Sequence, residues 1–192
     1  MADAQPNEFA ATICGIDELE GFWSAGVTHL MTLLDPGWPT PASLGGFVAP
    51  RRLDLRFHDV IETQPGVRAP EPADVMALLA FGRGLGGLPD THLLVHCQKG
   101  LSRSTAAVML ILAQAKPDTH AADIVAEIVR IRPRAWPNLR LVELGDEHLG
   151  RGGSLIAATA AVYRAQLIAR PRLHDAMISM GRTRELDLAA GS

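Results

Sequence analysis

Between residues 9 and 150, short apolar or β-branched runs alternate with longer stretches of helical periodicity. The runs FAATIC at 9–14, VTHLMTLL at 27–34, RRLDLRF at 51–57 and HLLVH at 92–96 predict four strands. Helices are predicted over 16–26, closed by Gly26, and over 71–85, with acidic residues in the first turn. A third, at 102–115, is Ala-rich with an apolar face, which predicts a buried helix. A fourth, at 120–132, sets Ile124, Val125, Ile128, Val129 and Ile131 at helical spacing. A fifth spans 137–150, with Pro137 suited to its first turn. The Pro/Gly-rich segment 35–46 and the segment 58–70 read as loops. Strands that alternate with helices imply an α/β fold with a mainly parallel central sheet flanked by helices. After Gly152 the pattern weakens: 154–169 can form an amphipathic helix, and the chain from Arg170 reads as frayed or partner-dependent. The expected organisation is one domain over 1–153 and a C-terminal helical extension or tail over 154–192.

Composition narrows the function classes. The 192 residues are 47% apolar and 20% charged, a globular balance. A net charge of −3 and a pI near 6.1 argue against a nucleic-acid binder held by a broad basic field. Sixteen of the basic residues are Arg and only Lys99 and Lys116 are Lys, so a single arginine carries little weight. Two cysteines, Cys14 and Cys97, do not make a disulfide framework, which implies a reduced, cytoplasmic setting. The start of the chain lacks a signal-peptide pattern, and no apolar run nears the ~20 residues of a membrane span. GRGLGG at 82–87 matches a dinucleotide-loop pattern but follows a helix instead of a strand, so it reads as a helix end and turn. His92 and His96 share one strand face without the further ligands a metal needs.

Chemistry concentrates in LLVHCQKGLSRST at 93–105. Strand, turn and helix start together make a phosphate-binding geometry, with turn amides forming an anion nest and the helix adding its positive end. Gly100 permits the tight turn, and Gln98, Lys99, Leu101 and Ser102 contribute backbone N–H groups. Arg103 offers a planar fork for two phosphate oxygens. Cys97 stands at the base of this positive cup, where a thiolate is stabilised and faces a bound phosphorus atom. Ser104 can donate a hydrogen bond toward the sulfur, and His96 can fix the loop through its ring nitrogens.

HCQKGLSRS resembles the signature of the cysteine-dependent protein tyrosine phosphatases, and Ser102 before Arg103 is similar to its dual-specificity branch. So is RPRAWPNLRLVEL at 132–144, which carries that branch's Pro-Asn segment. VTHLMTLL, LRFHDV and PNLRLVELGDEHLGRGG resemble small bacterial tyrosine-phosphatase-like proteins, and the likeness spans roughly residues 9–153. The resemblance implies hydrolysis of a phosphorylated protein or small phosphorylated substrate through a phosphocysteine on Cys97, with no metal or organic cofactor. It also implies an Asp just after an upstream strand as general acid and then base. Asp59 in LRFHDV matches that placement, ahead of Asp54 and Glu62. Lys99 reads equally as a contact for extra substrate charge or as a solvated side chain. Arg130, Arg132 and Arg134 read as the end of a helix favoured by its dipole. Cys14 reads as a small buried hydrophobe or a backup thiol. Phosphotyrosine or dual-specificity protein substrates lead; phosphoinositides and inositol phosphates are the alternative for the same chemistry. A non-catalytic phospho-ligand module and a rhodanese-type sulfurtransferase are the rivals of other classes.

Overall fold

The computed structural model describes residues 9–48, 50–86 and 90–191, and within them the four expected strands form one parallel sheet. Strands β1 (Ala10–Gly15), β2 (His29–Leu34), β3 (Arg51–Arg56) and β4 (His92–Cys97) lie in the order β1-β4-β2-β3. The most apolar strands, β2 and β4, pair at the centre, with Met31 opposite Val95 and Thr32 opposite His96. The alternating strand β3 takes an edge. This is the arrangement expected when buried strands need both faces covered.

Helices α1 (Pro72–Arg83), α2 (Arg103–Ala115), α3 (Ala121–Ile131), α4 (Leu139–His148) and α5 (Ser154–Ala169) follow the predicted order. Every residue of α2 from Arg103 to Ala113 is buried, because the sheet and helices α1, α3 and α4 all pack on it. Its small residues allow this, and Gly145 of α4 does the same from the other side. A Cβ there would lie 2.2 Å from the Leu110 side chain.

Four predictions need correction, three of them local. Residues 16–26 do not form an α-helix; Ile16–Phe22 is a 3₁₀ helix. Its apolar residues Ile16, Leu19 and Phe22 recur every third position, which matches three residues per turn, and they pack in one small cluster with Cys14 and Leu30. The 35–46 loop contains a second 3₁₀ turn, Ala42–Gly46. Pro137 precedes α4 instead of opening it: Asn138 is the cap, accepting the Leu141 N–H at 3.0 Å.

The largest departure is at the C-terminus. The chain after Arg170 is not frayed but forms α6 (Leu173–Ser179) and α7 (Thr183–Gly191). Trp136 stacks on Tyr163 of α5 with ring centroids 4.6 Å apart. Met177, Leu186 and Ala189 cover that aromatic pair, so the short helices gain their stability from tertiary burial rather than from their own length. Asp146 accepts from the Gly153 and Leu155 N–H groups and fixes the start of α5 beneath them.

Candidate active site

The loop between β4 and α2 is built around outward-turned carbonyls. Ile16 N–H donates to the Gln98 carbonyl, Arg132 to that of Lys99, and Trp136 N–H to that of Leu101. The Ser102 carbonyl accepts from Asn138 N–H and Ala106 N–H. Among the described residues, no protein acceptor meets the N–H groups of 99–103. Carbonyls tied to the outside leave amides facing the enclosed space, which is an anion nest. Gly100 is obligatory here. Its φ is +66°, and a Cβ would stand 2.4 Å from the carbonyl carbon of Cys14.

Cys97 ends β4, nearly inaccessible, with its Sγ 3.2 Å from the Ser104 hydroxyl. His96 sits on the neighbouring strand position with Nε2 2.8 Å from the Thr32 hydroxyl. Burial pushes its imidazole down to about 4, so the ring is neutral at pH 7. Arg103, at the start of α2, is buried with Nη1 donating to Asp35 Oδ1 and to the Phe57 carbonyl, both at 2.6 Å. Its Nε is buried and has no partner. A buried guanidinium with a free donor is costly unless an anion meets it.

Asp59 lies across the loop, with its side chain 30% exposed. Three donors converge on a single oxygen, Oδ1: Ser102 Oγ at 2.7 Å, Asn138 Nδ2 at 2.8 Å and Arg182 Nη1 at 3.4 Å. Among the described residues nothing donates to Oδ2. Burial raises the Asp59 carboxyl, but the Arg182 and Arg103 charges and the Ser102 and Asn138 hydrogen bonds outweigh it and hold it below its ordinary value. Of the second choices, Asp54 pairs with Arg56 on β3 and Glu62 with Arg184, both away from the loop interior.

The pocket above Cys97 encloses about 180 Å³. Asp59 and Ser102 form one side; Leu173, Met177 and Met180 from the C-terminal segment form another. Lys99 is at the rim and meets Asp17 only at 3.9 Å, with side chains 77% and 85% exposed. The arginine run divides. Arg130 pairs with Glu127, and Arg132 forks onto Glu18 beside the loop, but Arg134 lines the pocket. Sequence reasoning missed Arg182, Arg170 and the apolar wall. Arginines are too common in this chain to single two out, and the tail lacks the long periodicity that would have announced it. Asn138 was visible only as part of a Pro-Asn segment, without its role. Cys14 packs in the small cluster while Cys97 belongs to the main core, and burial pushes the Cys14 thiol up to about 12. No cluster of His, Cys, Asp and Glu suited to a metal occurs among the described residues. No helix there is long and apolar enough to cross a membrane.

A strand that ends in a cysteine, an amide-lined loop and a buried arginine opening a helix define a class of fold, and solved structures share it. No family model matches the sequence, and no curated protein matches it. The phosphatase domain of Yvh1 from Chaetomium thermophilum is 18% identical, covering 77% of this chain and 95% of that one, with a TM-score of 0.52. DUSP15 is 18% identical over 74% of this chain and 85% of its own, with a TM-score of 0.53. PTPMT1, solved in complex with PI(5)P, is 15% identical over 75% and 92%, with a TM-score of 0.51. The chain therefore has the fold of the cysteine-dependent tyrosine phosphatases, in its dual-specificity form.

Proposed function

We propose that the protein is a phosphoric monoester hydrolase that works through a phosphocysteine on Cys97. The observation that carries this reading is Asp59 hydrogen-bonded to Ser102 of the loop that surrounds the Cys97 sulfur. Loop amides and Arg103 hold the phosphoryl oxygens. A dianionic phosphate against Arg103 offsets part of the charge that keeps Asp59 ionised, so Asp59 takes up a proton with substrate bound. The Cys97 thiolate then forms an S–P bond as the P–O bond to the leaving group breaks. The proton on Asp59 passes to the departing oxygen, from Oδ2, the oxygen without a protein donor. In the second half Asp59 removes a proton from water, the water oxygen bonds to phosphorus, and the S–P bond breaks. Ser104 donates to the leaving thiolate, and inorganic phosphate departs. His96, neutral and tied to Thr32, holds the strand end that carries the sulfur. The sequence resemblance supports a protein phosphatase, and a thiolate nucleophile suits a reducing, cytoplasmic setting.

A second substrate reading, a phosphoinositide or inositol phosphate, is supported by the pocket rim. Arg134 and Arg170 stand there with no acidic partner among the described residues, and Lys99 adds a third cation. Burial and the Arg134 charge both lower the Arg170 guanidinium from its ordinary value, as expected for like charges left to face a polyanion. The test is phosphate release from an aryl phosphate, phosphopeptides and inositol phosphates by the unmutated protein and Cys97→Ser. Cys97→Ser should lose turnover but retain vanadate binding. Full turnover in that variant would sink the mechanism, and thiosulfate-dependent thiocyanate formation alone would indicate a sulfurtransferase.

A further inference from the structure

We propose that Arg182, supplied by the turn between α6 and α7, is a positioning residue that fixes the Asp59 carboxyl against the phosphate loop and makes the C-terminal helices part of the catalytic unit. The inference rests on Asp59 being the proton donor. Arg182 is 4% exposed although it is an arginine at a surface turn. Its Nε and Nη2 fork onto Glu185 at 2.8 and 2.7 Å. That pair alone would satisfy a structural ion pair. Yet Nη2 also donates to Ser102 Oγ at 3.0 Å, and Nη1 reaches Asp59 Oδ1 at 3.4 Å.

The direction of these bonds matters. Ser102 has a single hydroxyl proton, and its oxygen accepts from Arg182. The proton is therefore committed to Asp59, giving a chain Arg182 to Ser102 to Asp59. Glu185, fully buried, also accepts from Trp136 Nε1 and from the Leu139 N–H that opens α4. Asn138, the cap of that helix, is the third donor to Asp59. One buried carboxylate thus anchors both Arg182 and the helix start that grip Asp59. All three grips close on Oδ1, so the carboxyl cannot rotate freely and Oδ2 is left to carry the proton.

The Arg182 charge also sets the balance between the two half-reactions. It disfavours protonated Asp59, needed first, and favours the carboxylate, needed second. Among the described residues, the other charged or titratable groups around Asp59 are Arg103, Cys97, Glu185 and Tyr163 of α5, whose hydroxyl donates to the Pro137 carbonyl, with Lys99, Arg134 and Arg170 lining the same pocket. Burial lifts Tyr163 well above its ordinary value, so it stays neutral throughout.

The test compares the full chain with Arg182→Met and Arg182→Lys. An opposite charge at this range shifts a carboxyl by about 1–3 units. Carbon-13 NMR titration of Asp59 should therefore show a rise of about 1 unit or more in Arg182→Met, and a smaller rise in Arg182→Lys. The alkaline limb of the kcat profile should move up with it. Loss of kcat/KM should be greatest for poor leaving groups, with partial rescue by Lys. An unchanged Asp59 titration overturns the proposal whatever the activity. So does an equal loss of kcat/KM for good and poor leaving groups in a folded variant. If Arg182→Met does not fold, Arg182→Lys carries the leaving-group readout, because it keeps a charge and removes the fork. An unmutated protein that releases no phosphate refutes the hydrolase reading, while the titration still decides the role of Arg182.

Discussion

Replacing Asp59 with asparagine separates its chemistry from its place in the fold. The amide oxygen of the new side chain can keep all three hydrogen bonds that reach Oδ1, from Ser102, Asn138 and Arg182. Arg182 also keeps its fork onto Glu185. What is removed is the titrating Oδ2. General acid–base catalysis contributes ~10²–10⁴-fold, which at 1.36 kcal/mol per decade is about 2.7–5.4 kcal/mol of barrier. The loss should depend on the leaving group. A strongly acidic phenol departs without a proton, so kcat/KM for its ester, which reports phosphocysteine formation, should stay close to the unmutated value in Asp59→Asn, while kcat falls because Asp59 is also the base of the second half. An alkyl phosphate should lose the full factor. Values of kcat/KM across a series of aryl and alkyl phosphates give this directly as a steeper dependence on leaving-group pKa. Asp59→Ala should be worse for stability as well, since it strands three donors at roughly 1–3 kcal/mol for each one that stays dry. A uniform loss of kcat/KM across the series would refute the reasoning, as would no loss with the alkyl ester; the acid would then be another residue.

Gly100→Ala should destabilise the protein by about 2 kcal/mol or more and abolish vanadate binding, because its Cβ collides with the Cys14 backbone at a φ of +66°; denaturant unfolding and equilibrium binding would measure both, and a stable variant with intact binding would show that the loop tolerates another path. His96 has a native value near 4 against an ordinary 6.5, so the unfolded chain binds its proton first as pH falls. Its contribution is complete above pH 6.5 and drains away down to pH 4, by about 3 kcal/mol. The stability of His96→Gln should accordingly fall less than that of the unmutated chain over this interval, and parallel curves would contradict the buried neutral ring.

Much of the candidate active site could be read from the chain because it is local. Cys97, Gly100, Arg103 and Ser104 lie within eight consecutive residues, and a strand followed by a turn and a helix leaves them few other arrangements. The four strands were legible because buried strands demand apolar runs. Asp59 stands 38 positions before Cys97, and only the family resemblance, through its place after a strand, marked it. Its partners could not be read at all. Asn138 is 79 residues from it and Arg182 is 123, and no spacing rule spans such distances. The sequence by itself determined the parallel sheet, the cysteine at the strand end and the tight turn after it, through local periodicity and turn chemistry. The tertiary structure alone decided that the last two helices close on the site. Their few apolar residues mean little until Trp136 and Tyr163 give them a surface, and only that burial brings Arg182 to Asp59.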